Sequence, residues 1–244
     1  MRLVAFVLFV LSAPAMIAAP DPLRTSRQCL VVVSGNWSAK AGVLRAFERK
    51  NSRSEWQVHG PEIPVLLGKK GLAWGRGLVS FNGSVRKIEG DNKAPAGIFR
   101  LGPAFGYGPK SAARWIALRY VRLTRQTEGV DDPRSRYYNQ LVDRSQVAKV
   151  DWQSSEQMLR GDDLYKWGVL VAHNPAKTPG AGSCIFLHIW KNSSTATTGC
   201  TAMAERNLVD LLRWLDPAQR PVLVQMPRQE YDSVRPGLHL PAVN

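Results

Sequence analysis

Short runs of β-branched and aromatic residues recur along the chain, each soon broken by Gly, Pro, Asn or Asp, which leaves little room for long helices. Cys29–Val33, Trp56–Val58, Val65–Leu67, Ala96–Leu101, Trp115–Leu123, Gly168–Ala172, Cys184–Trp190 and Val222–Gln225 read as strands. Pro61 and Pro64 separate the second of these from the third, glycine is frequent from Gly68 to Gly83, and Asp131-Asp132-Pro133 marks a turn. Helical signals are fewer. Ser38 can cap a helix to about Lys50, with Val43, Leu44 and Phe47 on one face. Ser154 to Gln157 carries a capping-box pattern, which starts a short helix to Arg160. The best helix is Ala202–Leu215, with Leu208, Leu211, Leu212 and Leu215 in a 3.6-residue period and Pro217 just past its end. The expected class is mainly β, a sandwich or barrel with a few peripheral helices.

Composition bounds the rest. At 44% hydrophobic and 21% charged residues, the 244-residue chain is neither disordered nor fibrous, and it buries an adequate core without disulfide staples. Residues 1–19 have the layout of a secretory signal: a basic Met1-Arg2, an apolar run densest over Leu3–Leu11, and small residues at Ala18-Ala19. The apolar run is short and contains Pro14, which disfavours a spanning helix. Residues 20–28 read as a polar linker, 29–227 as the folded body and 228–244 as a loosely ordered tail. The expected product is exported to the periplasm or cell wall, with no stable membrane insertion after cleavage. A net charge of +14 draws such a protein towards polyanions. The basic residues are scattered and lack a nucleic-acid-binding signature, so cell wall or lipid headgroups are the expected surroundings and no nucleic-acid partner is expected.

Two residues carry candidate chemistry. Alternation through Cys184–Trp190 places Ile185, Leu187 and Ile189 on one face and Cys184, Phe186, His188 and Trp190 on the other. His188 therefore projects from a rigid strand. Gly199 and Cys200 follow a small polar loop and stand directly before the predicted Ala202–Leu215 helix. A helix N-terminus would favour the Cys200 thiolate, and the Gly199 and Cys200 amides could hold an oxyanion. A return of the chain would bring Cys200 beside His188 as nucleophile and base. His59, His173, His188 and His239 show no metal-ligand spacing, and neither metal nor cofactor is expected.

Several segments together resemble the L,D-transpeptidases, the YkuD-like catalytic domain. Ala94–Leu101 (APAGIFRL) resembles that family's TPxGxF strand, and His188 with Thr198-Gly199-Cys200 resembles its H…[ST]xGC signature. Gly68–Gly75, Asp132–Asn139 and Gly182–His188 extend the likeness over roughly Leu30 to Pro227. The chain departs from the family pattern in having Ile189 where Gly usually follows the histidine, Thr198 where His often precedes Gly-Cys, and Thr201-Ala202-Met203 after the cysteine. The resemblance implies a YkuD-like fold and an enzyme acting on peptidoglycan stem peptides, with catalytic Cys200, His188 and Gly199 forming 3-3 or 1-3 crosslinks. Tyr107, Tyr138, Asn139, His173, Asn174 and Thr198 are the candidate substrate contacts. A carboxypeptidase or thiol peptidase on the same scaffold, and a non-catalytic basic wall-binding module, remain the alternatives. A Cys29–Cys184 disulfide would leave Cys200 free.

Overall fold

The computed structural model describes residues 23–243, so the expected signal segment lies outside the described residues. The strands are β1 (Gln28–Ser34), β2 (Ala41–Glu48), β3 (Gln57–Leu66), β4 (Leu72–Trp74), β5 (Ala94–Gly106), β6 (Tyr120–Arg122), β7 (Thr127–Val130), β8 (Gln140–Asp143), β9 (Ser155–Gln157), β10 (Trp167–Val171), β11 (Phe186–Ile189), β12 (Thr201–Met203) and β13 (Val222–Pro227). The α-helices are α1 (Glu205–Trp214) and α2 (Arg228–Val234). The main sheet runs β10-β11-β12-β3-β2-β1-β13-β5, and β10 also pairs with β5, which closes the ring. Closure removes the free edges that an open sheet would expose. β4 and β6 attach to β5, and β8-β7-β9 forms a separate small sheet. The molecule is thus mainly β, with a barrel-like core and few helices.

The principal core covers both faces of the ring's central strands, since consecutive Leu30, Val31 and Val32 of β1 and Val222, Leu223 and Val224 of β13 all belong to it. Leu30, Leu44, Ile98, Leu187 and Val224 contribute from its strands, and α1 adds Leu208, Leu211 and Leu212. Each leucine on that helix contributes roughly 1.5–3 kcal/mol through burial. A second cluster gathers Phe105, Tyr165, Phe186 and Cys200. Alternation along β11 divides the two: Ile185, Leu187 and Ile189 enter the first cluster, and Phe186 enters the second. Gly168 stands between them in register, opposite Phe105 on β5 and His188 on β11. A Cβ at Gly168 would lie 2.3 Å from the Phe105 ring, so only glycine allows that ring to lie where it does.

Several expected elements differ. The predicted Ser38–Lys50 helix is strand β2. β2 pairs with β1 without interruption, so Leu44 and Ala46 turn to one face and Phe47 to the other; all three are buried because the neighbouring β1 is covered on both faces, and the resulting spacing imitates a helical face. Pro61 and Pro64 do not divide two strands. Both lie within β3 and are exposed: Pro61 falls in the bulged stretch between His59 and Ile63 that has no partner on β2, and Pro64 lies opposite Val43 on a strand that β12 meets only at Leu66. The predicted Ser154–Arg160 helix is strand β9, because Ser155 Oγ donates to Glu128 Oε2 at 2.7 Å instead of capping a helix turn. The strand expected over Trp115–Leu123 is confined to β6. The segment before β1 is fixed to the body by Leu23 and Ser26, both fully buried, and is no free linker where it is described. The tail after Pro227 forms α2, whose buried Tyr231 donates to the Pro241 carbonyl at 2.7 Å. No helix among the described residues is long and apolar enough to cross a membrane.

Candidate active site around Cys200 and His188

β11 and β12 run parallel, with His188 opposite Ala202 and Leu187 opposite Thr201. Cys200 is the residue just before β12, on the side of the second cluster. It does not begin a helix: β12 intervenes, and α1 starts only at Glu205. The expected helix-dipole support for a thiolate is therefore absent. The sulfur instead sits among backbone groups. Phe186 N–H donates to Cys200 Sγ at 3.3 Å, and Sγ donates to the Cys184 carbonyl at 3.7 Å. Thr197 holds the loop before it: its hydroxyl donates to the Cys200 carbonyl at 2.6 Å and accepts from Gly199 N–H at 3.1 Å. Lys69 and Leu67 fix the Thr197 backbone from the other side. The Gly199 amide is thus engaged, whereas the Cys200 N–H has no partner among the described residues. One amide, not the expected pair, is free to receive an oxyanion.

Two cavities meet at Cys200. One, of about 230 Å³, is lined by His188, Tyr165, Glu156, Arg160, Lys191 and the 195–198 loop as well as Cys200. The other, of about 200 Å³, is lined by Glu89, Asp131, Glu156, Lys87, Tyr165 and Thr198–Cys200. Glu156 lines both; Lys191 and Arg160, the latter paired with Glu156 and Asp162, line the first, and Glu89 and Asp131 line the second. One oxygen of Asp131 is buried there with no hydrogen-bond partner among the described residues.

Burial dominates the electrostatics. It pushes the Cys200 thiol up to about 12, with Glu156 adding to the rise and the Phe186 amide and Lys87 opposing it. Burial also pushes His188 down to about 4, with Arg160 acting in the same direction and the Ile189 carbonyl opposing. His188 Nδ1 lies 2.7 Å from that carbonyl. A carbonyl only accepts, so Nδ1 carries the proton and Nε2 is the basic nitrogen of the neutral ring. Burial thus opposes transfer of the thiol proton to the ring from both sides, raising the thiol and lowering the imidazole. The resting pair is therefore neutral thiol and neutral imidazole. The two line one cavity, but no hydrogen bond joins them among the described residues.

Tyr165 and Glu156 are the residues that sequence reasoning missed. The Tyr165 ring meets His188 edge-on, with centroids 5.2 Å apart, and its hydroxyl donates to Glu156 Oε1 at 2.8 Å. Arg160 Nη1 donates to the same oxygen at 3.2 Å. No motif marks Tyr165, and Glu156 was absorbed into an apparent capping box.

Of the residues expected to contact substrate, Thr198 lines both cavities. Tyr107, Tyr138, Asn139, His173 and Asn174 line neither. Tyr107 donates to the Asp162 carbonyl at 2.7 Å and supports the segment that carries Tyr165. Tyr138 is buried and donates to Glu89. Asn139 donates to the carbonyls of His173 and Asn174 at 2.8 and 3.0 Å and accepts from Cys184 N–H at 2.9 Å. His173 lies between the Arg76 amide and the Ala181 carbonyl, and Asn174 binds Thr178 and Gly182. These side chains clamp the loop that leads into β11. Trp190 lines the His188 cavity. All three cysteines are free. The expected Cys29–Cys184 disulfide is not formed, because Cys29 belongs to the principal core and Cys184 packs against the second cluster.

Comparison of the chain with protein-family models, with curated proteins and with solved structures returned no match.

Proposed function

We propose that the protein is a cysteine acyltransferase of the L,D-transpeptidase kind, crosslinking peptidoglycan stem peptides through a thioester on Cys200. The observation that carries this proposal is the position of the sulfur, at the junction of two cavities, with an imidazole in the first and three carboxylates around the second. A transferase needs two substrates to reach one atom from different sides. The first cavity offers Lys191 to the carboxylate of a peptide, Arg160 being already paired with Glu156 and Asp162, and the cavity bearing Glu89, Asp131 and Glu156 suits an amine.

In the first half-reaction Cys200 Sγ attacks the donor carbonyl. The C–S bond forms, the thiol proton passes through His188 to the leaving nitrogen, and the C–N bond breaks. The Cys200 N–H stabilises the oxyanion; one such donor is worth about 2.7–4 kcal/mol. In the second, an acceptor amine attacks the thioester, sulfur leaves, and the amine's proton returns to it. Because the resting pair is neutral, His188 acts as a general base during attack, with substrate or a water molecule linking it to the sulfur. The apolar surroundings of Phe105, Phe186 and Tyr165 restrict water at the thioester, which favours transfer over hydrolysis.

Incubation of wild type and Cys200→Ala with purified muropeptides tests the proposal. New dimers formed by wild type alone support transfer, and fragmentation of the dimers assigns 3-3 or 1-3 linkage. Shortened monomers without dimers would make the protein a peptidase. No change in either product would leave a wall-binding module.

A further inference from the structure

A third cavity, about 470 Å³ and larger than either at Cys200, opens on another part of the barrel. Its cationic lining comes from Arg100 on β5, Arg119 just before β6, and Arg220 just before β13. None of these guanidinium groups pairs with a carboxylate among the described residues, and no acidic residue lines the cavity. The other wall is apolar, with Leu101, Leu118 and the rings of Pro103, Pro217 and Pro221.

Local chain geometry builds this space. The β5–β10 ladder shifts register between Val169 and Val171, so Gly102 and Pro103 bow out of the sheet. β13 stops pairing with β5 at Arg100, and the backbone turns away through Arg220, which adopts a left-handed conformation at φ 50°. Arg100 Nη1 donates to Ser26 Oγ at 3.1 Å and to the Arg220 carbonyl at 3.5 Å, which ties the first guanidinium beside the second arginine. Burial first, and the Arg220 charge second, push Arg100 below its ordinary pKa.

We infer that this cavity is a binding site for a phosphate group carried on, or lying beside, an apolar body. Guanidinium forks match the oxygens of phosphate in paired hydrogen bonds, and three positive charges exceed what a single carboxylate neutralises. The apolar wall accounts for the volume that phosphate alone would leave unfilled. Two sources share this chemistry, a soluble phosphate and an anionic lipid headgroup, and the test separates them. The inference does not depend on the chemistry proposed for Cys200.

Isothermal titration of the folded chain with inorganic pyrophosphate in 0.1 M salt, and co-sedimentation with phosphatidylglycerol or phosphatidylcholine vesicles, provide the readouts. Arg119→Gln/Arg220→Gln changes two exposed residues, and Arg53→Gln/Arg206→Gln removes the same charge from the exposed surface elsewhere. Binding of pyrophosphate or of phosphatidylglycerol vesicles, weakened at least tenfold by the first double variant and less than twofold by the second, supports the site. Pyrophosphate binding without vesicle binding assigns a soluble phosphate, and vesicle binding that the first variant abolishes assigns a lipid. Equal weakening by both variants, or no binding of either probe to wild type, overturns the inference. If the double variant melts early, Arg119→Gln alone is tested against Arg53→Gln by the same criteria.

Discussion

Replacing Asn139 with alanine separates a structural clamp from a substrate contact. The side chain makes three hydrogen bonds, two donated to the carbonyls of His173 and Asn174 and one accepted from Cys184 N–H. At about 1 kcal/mol net for each, their loss costs about 3 kcal/mol. Asn139 also sits at φ 59°, where alanine is less well tolerated than asparagine by about 1 kcal/mol. The expected destabilisation is about 4 kcal/mol, which for a chain of this size lowers Tm by about 8–16 °C. Asn139→Gly keeps the backbone conformation and loses only the bonds, so its Tm should fall by less. Thermal unfolding followed by circular dichroism measures both. An unchanged Tm accompanied by loss of stem-peptide affinity would refute the clamp and restore the substrate role that the sequence implied.

Other expectations follow from the same geometry. Labelling of Cys200 by a maleimide should accelerate about tenfold per pH unit from pH 7 to 9 with no plateau, since its thiol is pushed up to about 12. Glu156→Gln should accelerate that labelling throughout, because the Glu156 carboxylate opposes ionisation of the sulfur; a slower rate would contradict its placement beside Cys200. Burial holds both His173 and His188 down at about 4, so the unfolded chain takes up protons first as pH falls. Stability present above pH 6.5 is therefore lost towards pH 4, about 3 kcal/mol for each histidine. A His173→Gln variant should show a shallower decline of Tm over that range. Gly168→Ala should lower stability by at least about 1–3 kcal/mol through collision with Phe105, measured by urea unfolding.

Much of the β architecture was legible because alternation is a local signal. The two faces of Cys184–Trp190 separate in space as their alternation predicts, and the leucines of Ala202–Leu215 pack as a helical face from Glu205 onward. Misreadings arose where a tertiary partner overrode a local preference. Phe47 is buried on the face opposite Leu44 because the strand beside it, β1, is covered on both faces, and Ser155 is drawn to Glu128 across the small sheet. The expectation that Cys200 and His188 approach one another agrees with the cavity that both line, but their ionisation was not legible. The start of α1 shifts by three residues, which places β12 between the cysteine and the helix and replaces dipole support with desolvation. Tyr165 and Glu156 belong to the site only because the small sheet brings β9 there and the chain before β10 passes beside it, both long-range consequences of the fold. The loop clamps look like site residues in sequence because Asn and His serve equally well in turns and in clefts.

The most direct test of the account is the intact mass of the protein during turnover of a stem peptide. Wild type should gain the mass of the donor acyl fragment, and peptide mapping should assign that gain to Cys200 as a thioester cleaved by hydroxylamine. Cys200→Ala should gain nothing. An adduct on Cys29 or Cys184, or product formation by the Cys200→Ala variant, would contradict the central claim that this sulfur carries the acyl group.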